Sequence, residues 1–110
     1  MNSRMKGRNA ELELKKLLED NGWYVLLTDM PKKWSKHQDF FSCFDIMAYK
    51  GIWRKYIQIK CNRKPSFKPY REWAKKYANE YDSVEVWVRK DHKTKDKRWN
   101  SYIINEDMLK

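Results

Sequence analysis

The 110-residue chain has three glycines, three prolines and two cysteines, and no apolar run in it approaches the roughly 20 residues that cross a bilayer. No stretch reads as a low-complexity linker, and no segment repeats. Cys43 and Cys61, on neighbouring predicted strands but opposite faces, are too few and too badly placed for a disulfide framework or a cysteine-based zinc site. They read as two small buried thiols in a reducing compartment. The opening "MNSRMKGRNAELELKK" lacks the apolar stretch of a signal peptide, so the expected location is soluble and cytoplasmic, without a membrane anchor. Negative charge is also scarce. Fifteen acidic residues stand against 25 lysines and arginines, a net charge of +10. That imbalance implies a polyanionic partner, of which nucleic acid and an acidic membrane surface are the usual two.

Apolar residues make up 41% of the chain and aromatics 15%, enough for one packed core, so residues 1–110 are expected to form a single domain. From Asn9 to Asn21, the helical spacing of Ala10, Leu14, Leu17 and Leu18 predicts a helix, with Asn9 as a possible cap and Gly22 just past the end. "WYVLLT" (23–28) follows as a strand, then "DMPKKWSKHQD" as a loop of about a dozen residues, a length that is often functional. After Cys61, "NRKPSFKPYR" is basic and broken by proline. A helix is expected from Tyr70 to Tyr81, and "SVEVWVRK" and "KRWNSYII" read as two strands joined by the lysine-rich turn "DHKTKD". The predicted fold is α/β, a mixed sheet flanked by helices in the order α-β-β-β-α-β-β.

"FSCFDIMAYKGIWRKYIQIKC" (41–61) is the most informative stretch. If Gly51 and Ile52 form a two-residue II′ turn, Lys50 pairs with Trp53 and Asp45 falls opposite Gln58. Asp45, Gln58 and Lys60 then cluster on one side, while Phe44, Ile46, Ile57 and Ile59 fill the other. An acid or amide followed two residues later by lysine also occurs at Glu13–Lys15 and Asp91–Lys93, but only the Gln58 pair lies on a predicted strand with an aspartate on its partner. The chemistry that suits such a group is metal-assisted phosphodiester hydrolysis. Asp45 would supply a carboxylate and Gln58 an amide oxygen to a hard divalent cation, with the Lys60 ammonium stabilising charge that develops on phosphate. The alternative is a polar strand face in contact with water.

"FDIMAYKGIWRKYIQIK" resembles the core of the PD-(D/E)xK nuclease superfamily, and "RMKGRNAELELKKLLEDNGWYV" resembles the opening of archaeal Holliday junction resolvases. The resemblance implies that Glu11 is the helix acid, Asp45 the hairpin aspartate, Gln58 the position usually held by glutamate, and Lys60 the lysine. It places Ser35 where those resolvases keep an active-site serine. It further implies a restriction-endonuclease-like fold, Mg2+ as cofactor with Mn2+ able to substitute, branched DNA as substrate, a role in DNA recombination and repair, and a homodimer. Periodicity alone does not choose Glu11 over Glu13, which lie about equally far from the apolar stripe. Both also read as solvated helix acids.

Basic residues cluster at Arg4, Lys6 and Arg8, at Lys32, Lys33 and Lys36, and at Arg63, Lys64 and Lys68. They would hold phosphates and set position without reading bases. Trp23, Trp73 and Trp87 are expected to be buried and Trp34 to be exposed, able either to stack on a base or to pin its loop. His37 and His92 read as surface residues. Three rival functions stand beside the resolvase-like reading: a nuclease acting on ends, nicks or flaps; a catalytically silent nucleic-acid-binding module, favoured by Gln58; and a basic ribonucleoprotein or membrane-surface protein of another fold.

Overall fold

A computed structural model describes residues 3–27, 44–91, 93–94 and 97–109, with side chains from Arg8 onward. The order is α1 (Ser3–Asp20), β1 (Tyr24–Leu27), β2 (Ile46–Lys50), β3 (Trp53–Cys61), α2 (Lys68–Tyr77), β4 (Asp82–Arg89) and β5 (Trp99–Ile103), followed by a 3-10 turn at Glu106–Met108. The strands form one sheet in chain order, antiparallel except for the parallel pair β3–β4. A parallel pair needs a crossover, and the segment that carries α2 supplies it. The mixed α/β order matches the expectation.

Each face of the sheet is packed by one helix. Ala10, Leu14 and Leu18 of α1 are buried against Val25, Ile46, Ala48, Ile57 and Ile59. Tyr70, Trp73 and Ala74 of α2 are buried with Met47, Tyr56, Val84, Val86 and Val88 on the opposite face. At the end of α1, Gly22 takes a φ of +92°, and the Trp23 N–H reaches back to the Leu18 carbonyl at 3.1 Å, a closing geometry that favours glycine. The helix begins well before Asn9, which lies inside it and does not cap it. Periodicity registers only the turns that carry the apolar stripe, and the residues before Ala10 are polar. The second helix runs over Lys68–Tyr77 instead of Tyr70–Tyr81. Pro69 falls in its first turn, where a missing N–H breaks no helical bond.

The β2–β3 hairpin has the predicted register, with Lys50 opposite Trp53 and Gly51 at φ +63°. One side-chain direction differs. Phe44 does not share a face with Ile46, because the chain bends at Asp45, and the Phe44 ring meets Trp73 edge-on at 4.8 Å on the α2 side. Of the three tryptophans expected in the core, Trp73 is buried, while Trp23 and Trp87 are half-buried. Trp23 takes the Lys55 ammonium over its ring at 4.9 Å, and Trp87 donates its indole N–H to Glu85 at 2.7 Å. Cys61 forms no disulfide among the described residues and is only half-buried; Cys43 lies outside them.

Strand β4 and its start hold buried charge that alternation does not predict. Glu85, 1% exposed, accepts from Lys55 at 2.5 Å and Ser83 at 2.6 Å as well as from Trp87. Asp82, 2% exposed, accepts from Arg54 at 2.7 Å and from the Asn79 N–H at 3.0 Å. Such pairing is what permits a carboxylate inside a core. No helix among the described residues is long and apolar enough to cross a membrane.

Candidate active site

β3 carries Gln58 and Lys60 toward the end of the sheet at which β2 begins. Alternation sets both on the face of buried Tyr56, and each is half-buried. Asp45 stands at the bend just before β2. Its N–H donates to the Ile57 carbonyl at 2.8 Å and its Oδ2 accepts the Ile59 N–H at 3.0 Å, so a side chain takes the next backbone donor where the ladder stops. The hairpin register, continued by one residue, sets Asp45 opposite Gln58. Gln58 Nε2 donates to the Ile59 carbonyl at 3.2 Å, which leaves Oε1 as the amide's acceptor end.

α1 adds Glu11. Its carboxyl is held above the ordinary value, first by burial and then by the neighbouring Asp45 charge, with Arg8 pulling it down from 3.6 Å. Asp45 is also raised, again by burial, and is opposed by the Ile59 N–H and by the Lys60 ammonium. Asp45 is therefore within electrostatic reach of both Glu11 and Lys60. Glu13 lies elsewhere. It accepts from Arg98 Nη1 at 2.9 Å and from the Trp99 indole at 2.9 Å, with Arg89 Nη2 at 3.6 Å. It is thus a paired residue and not a solvated helix acid. Nothing in the helical period distinguishes the two glutamates; their tertiary partners do.

Among the other predicted site residues, Arg8, Arg63 and Lys64 are exposed. Lys64 Nζ sits 5.2 Å above each of the Phe67 and Tyr102 rings. Arg4 and Lys6 belong to the first turns of α1, but their side chains lie outside the described residues, as do Lys32, Lys33, Trp34, Ser35, Lys36, His37 and His92.

With this geometry the chain is similar to a solved Holliday junction resolvase from the archaeal hyperthermophile Archaeoglobus fulgidus, at a TM-score of 0.61 and 16% identity over 91% of this chain and 74% of that one. The two share a fold. No protein-family model and no curated protein matches the sequence.

Among the described residues, no three His, Cys, Asp or Glu side chains converge as a ready metal cluster. The donor set nonetheless fits a hard divalent cation. It comprises two partly desolvated carboxylates, each raised by its surroundings, and the amide of Gln58, which the hairpin register sets opposite Asp45. Mg2+ commonly takes one or two carboxylates and keeps several waters, so three protein oxygens suffice.

Proposed function

We propose that the protein is a metal-dependent endodeoxyribonuclease that hydrolyses phosphodiester bonds in branched DNA, with Glu11, Asp45, Gln58 and Lys60 as its active site. The observation that carries this reading is the meeting of Glu11 and Asp45. Burial raises both carboxyls, the Asp45 charge raises Glu11 further, and Lys60 acts on Asp45, in a chain whose net charge is +10. Side by side and desolvated, they destabilise the site until a cation neutralises them. The likeness in fold to a junction resolvase supports branched DNA as the substrate class.

Asp45, Glu11 and the Gln58 amide oxygen would hold Mg2+ or Mn2+, which supplies Lewis acidity and lowers the pKa of bound water. The chain's own contributions are positional and electrostatic. The Ile59 N–H fixes Asp45, the α1 stripe packed on the sheet holds Glu11 near Asp45, and Lys60 would place a positive charge where charge develops on the phosphate. Arg8, Arg63 and Lys64, with Arg4, Lys6, Lys32, Lys33, Ser35 and Lys36, would bind the backbone phosphates of the substrate.

The test is an electrophoretic assay of a four-way junction, a linear duplex and a single strand, with and without Mg2+. Metal-dependent cleavage that favours the junction is expected. Cleavage restricted to ends or flaps would transfer the assignment to a different nuclease. A wild type inert with both metals, beside a Gln58→Glu variant that cleaves, would mark the protein as a binding module, a reading favoured by the amide at position 58.

A further inference from the structure

Because β3 and β4 are parallel, the hairpin that follows β4 emerges at the same end of the sheet as Gln58 and Lys60, with Lys60 level with Val88 and Cys61 level with Arg89. At two residues past Val88, Lys90 stands about 7 Å further along the strand direction, one strand away from Lys60. Between Arg89 and Arg98 the sequence holds six lysines and arginines against two aspartates. Arg89 and Arg98 already face carboxylates, through Glu13 and Asp91. Lys93 and Lys97 are exposed.

Beyond the paired strands, Asn62 links the start of this hairpin's turn to the end of β3. Asn62 has a φ of +64°, the left-handed conformation, and its backbone N–H donates to the Arg89 carbonyl at 2.7 Å. Its Nδ2 donates to Asp91 at 3.0 Å, and its Oδ1 accepts the Asp91 N–H at 2.9 Å. Lys90 Nζ donates to its carbonyl at 3.2 Å. The next residues along the chain are Arg63 and Lys64. Two basic segments far apart in sequence are thereby held together just beyond the proposed site.

We propose that the β4–β5 hairpin is a phosphate-binding arm of the same nuclease site, in which Lys90, Lys93 and Lys97 take the sugar-phosphate backbone of the DNA and Asn62 is the positioning residue that sets the arm against Arg63 and Lys64. The arm rests on the nuclease reading. Four mutually consistent hydrogen bonds and a left-handed backbone are more than an idle charged surface requires, and the pinning of Arg89 and Arg98 by Glu13 keeps the root of the hairpin from moving.

The experiment measures the affinity of the full chain for a linear duplex and a four-way junction as a function of salt, in EDTA so that no cleavage intervenes. Replacing Lys93 and Lys97 by glutamine should reduce the slope of log K against log salt by about 1.8, near 0.9 per phosphate contact, on both substrates. A control with Lys75→Gln and Lys76→Gln, in the last turn of α2, removes the same charge at the opposite end and should leave the slope unchanged. Asn62→Gly keeps the left-handed backbone accessible and removes no charge, yet should also lower the slope by about one contact, because the arm loses its side-chain clasp. An equal effect from the α2 control, or no effect from the hairpin variant while the wild type binds steeply, overturns the arm and leaves the nuclease reading standing. An Asn62→Gly slope equal to that of the wild type overturns the positioning role. A wild type that does not bind DNA defeats both readings.

Discussion

Asp45 and Glu11 hold their protons to higher pH in the folded protein than their ordinary values of 3.8 and 4.5. The folded chain thus binds more protons than the unfolded one above those values, so this contribution to stability is present below them and is lost as the pH rises through the raised values. Asp45→Asn retains an oxygen for the Ile59 N–H and removes the unfavourable charge. Without metal it should therefore melt higher than the wild type at neutral pH and show no gain near about pH 3, where both forms are uncharged. The same variant should lose cleavage by on the order of a hundredfold or more while its DNA binding holds or tightens. A variant that cleaves normally would remove Asp45 from the site. The two glutamates of α1 should separate by readout. Glu11→Gln should lower activity, whereas Glu13→Gln should lower stability by roughly 1 to 3 kcal/mol in urea unfolding, since it weakens the partner of two largely buried arginines. The reverse order would mean that the helix acid is Glu13.

At the scale of elements, the β2–β3 turn sets the register that brings Asp45 opposite Gln58, and Gly51 sets the turn. An added Cβ there would meet nothing within 4 Å, so the cost of Gly51→Ala comes from its φ of +63° alone. About 1 kcal/mol is expected, as a shift in urea midpoint at constant m-value; a neutral result would show that the turn is not held in the left-handed region. This hairpin was legible in the sequence because strand alternation, a lone glycine and flanking β-formers all agree. The existence of both helices was legible from their apolar spacing, but not their bounds, since the polar first turns of α1 and the proline at the start of the second helix carry no periodic signal. Three further features were not legible. The bend at Asp45 redirects Phe44 because a side-chain carboxylate takes the Ile59 N–H, a tertiary event that alternation does not encode. The choice between Glu11 and Glu13 depends on Arg98 and Trp99, more than 80 positions away. Glu85 lies in a valine-rich strand and is buried because Lys55, Ser83 and Trp87 meet it, although a lone acid in such a run was the visible clue.

Across the whole molecule, parallel β3–β4 pairing gathers the basic segments at one end. The N-terminal half of α1, the chain after Lys60 and the C-terminal end of β4 all border the end where Asp45 and Gln58 stand, while Arg54–Asp82 pairing marks the other. Binding should then be steep in salt. If about six of these cations touch phosphates, log K should fall against log salt with a slope near −5, and a slope shallower than about −2 would mean that the charge is not a nucleic-acid footprint. Removing Lys32, Lys33 and Lys36 together should weaken junction and duplex binding alike, because phosphate contacts carry no sequence information. The same titration separates two origins of any preference for branched DNA. Should the junction be favoured because its arms fit the shape of the site, the two substrates engage the same number of cations, their slopes are parallel and the preference is constant as salt rises. Should it be favoured because its arms bring more phosphate to the basic end, the junction slope is the steeper and the preference shrinks with salt. The spread of cations over the α1, β3 and β4–β5 segments predicts the second outcome, since a single duplex presents its backbone to fewer of them at once. Parallel slopes in fluorescence titrations of both substrates would refute it and place the selectivity in the shape of the site.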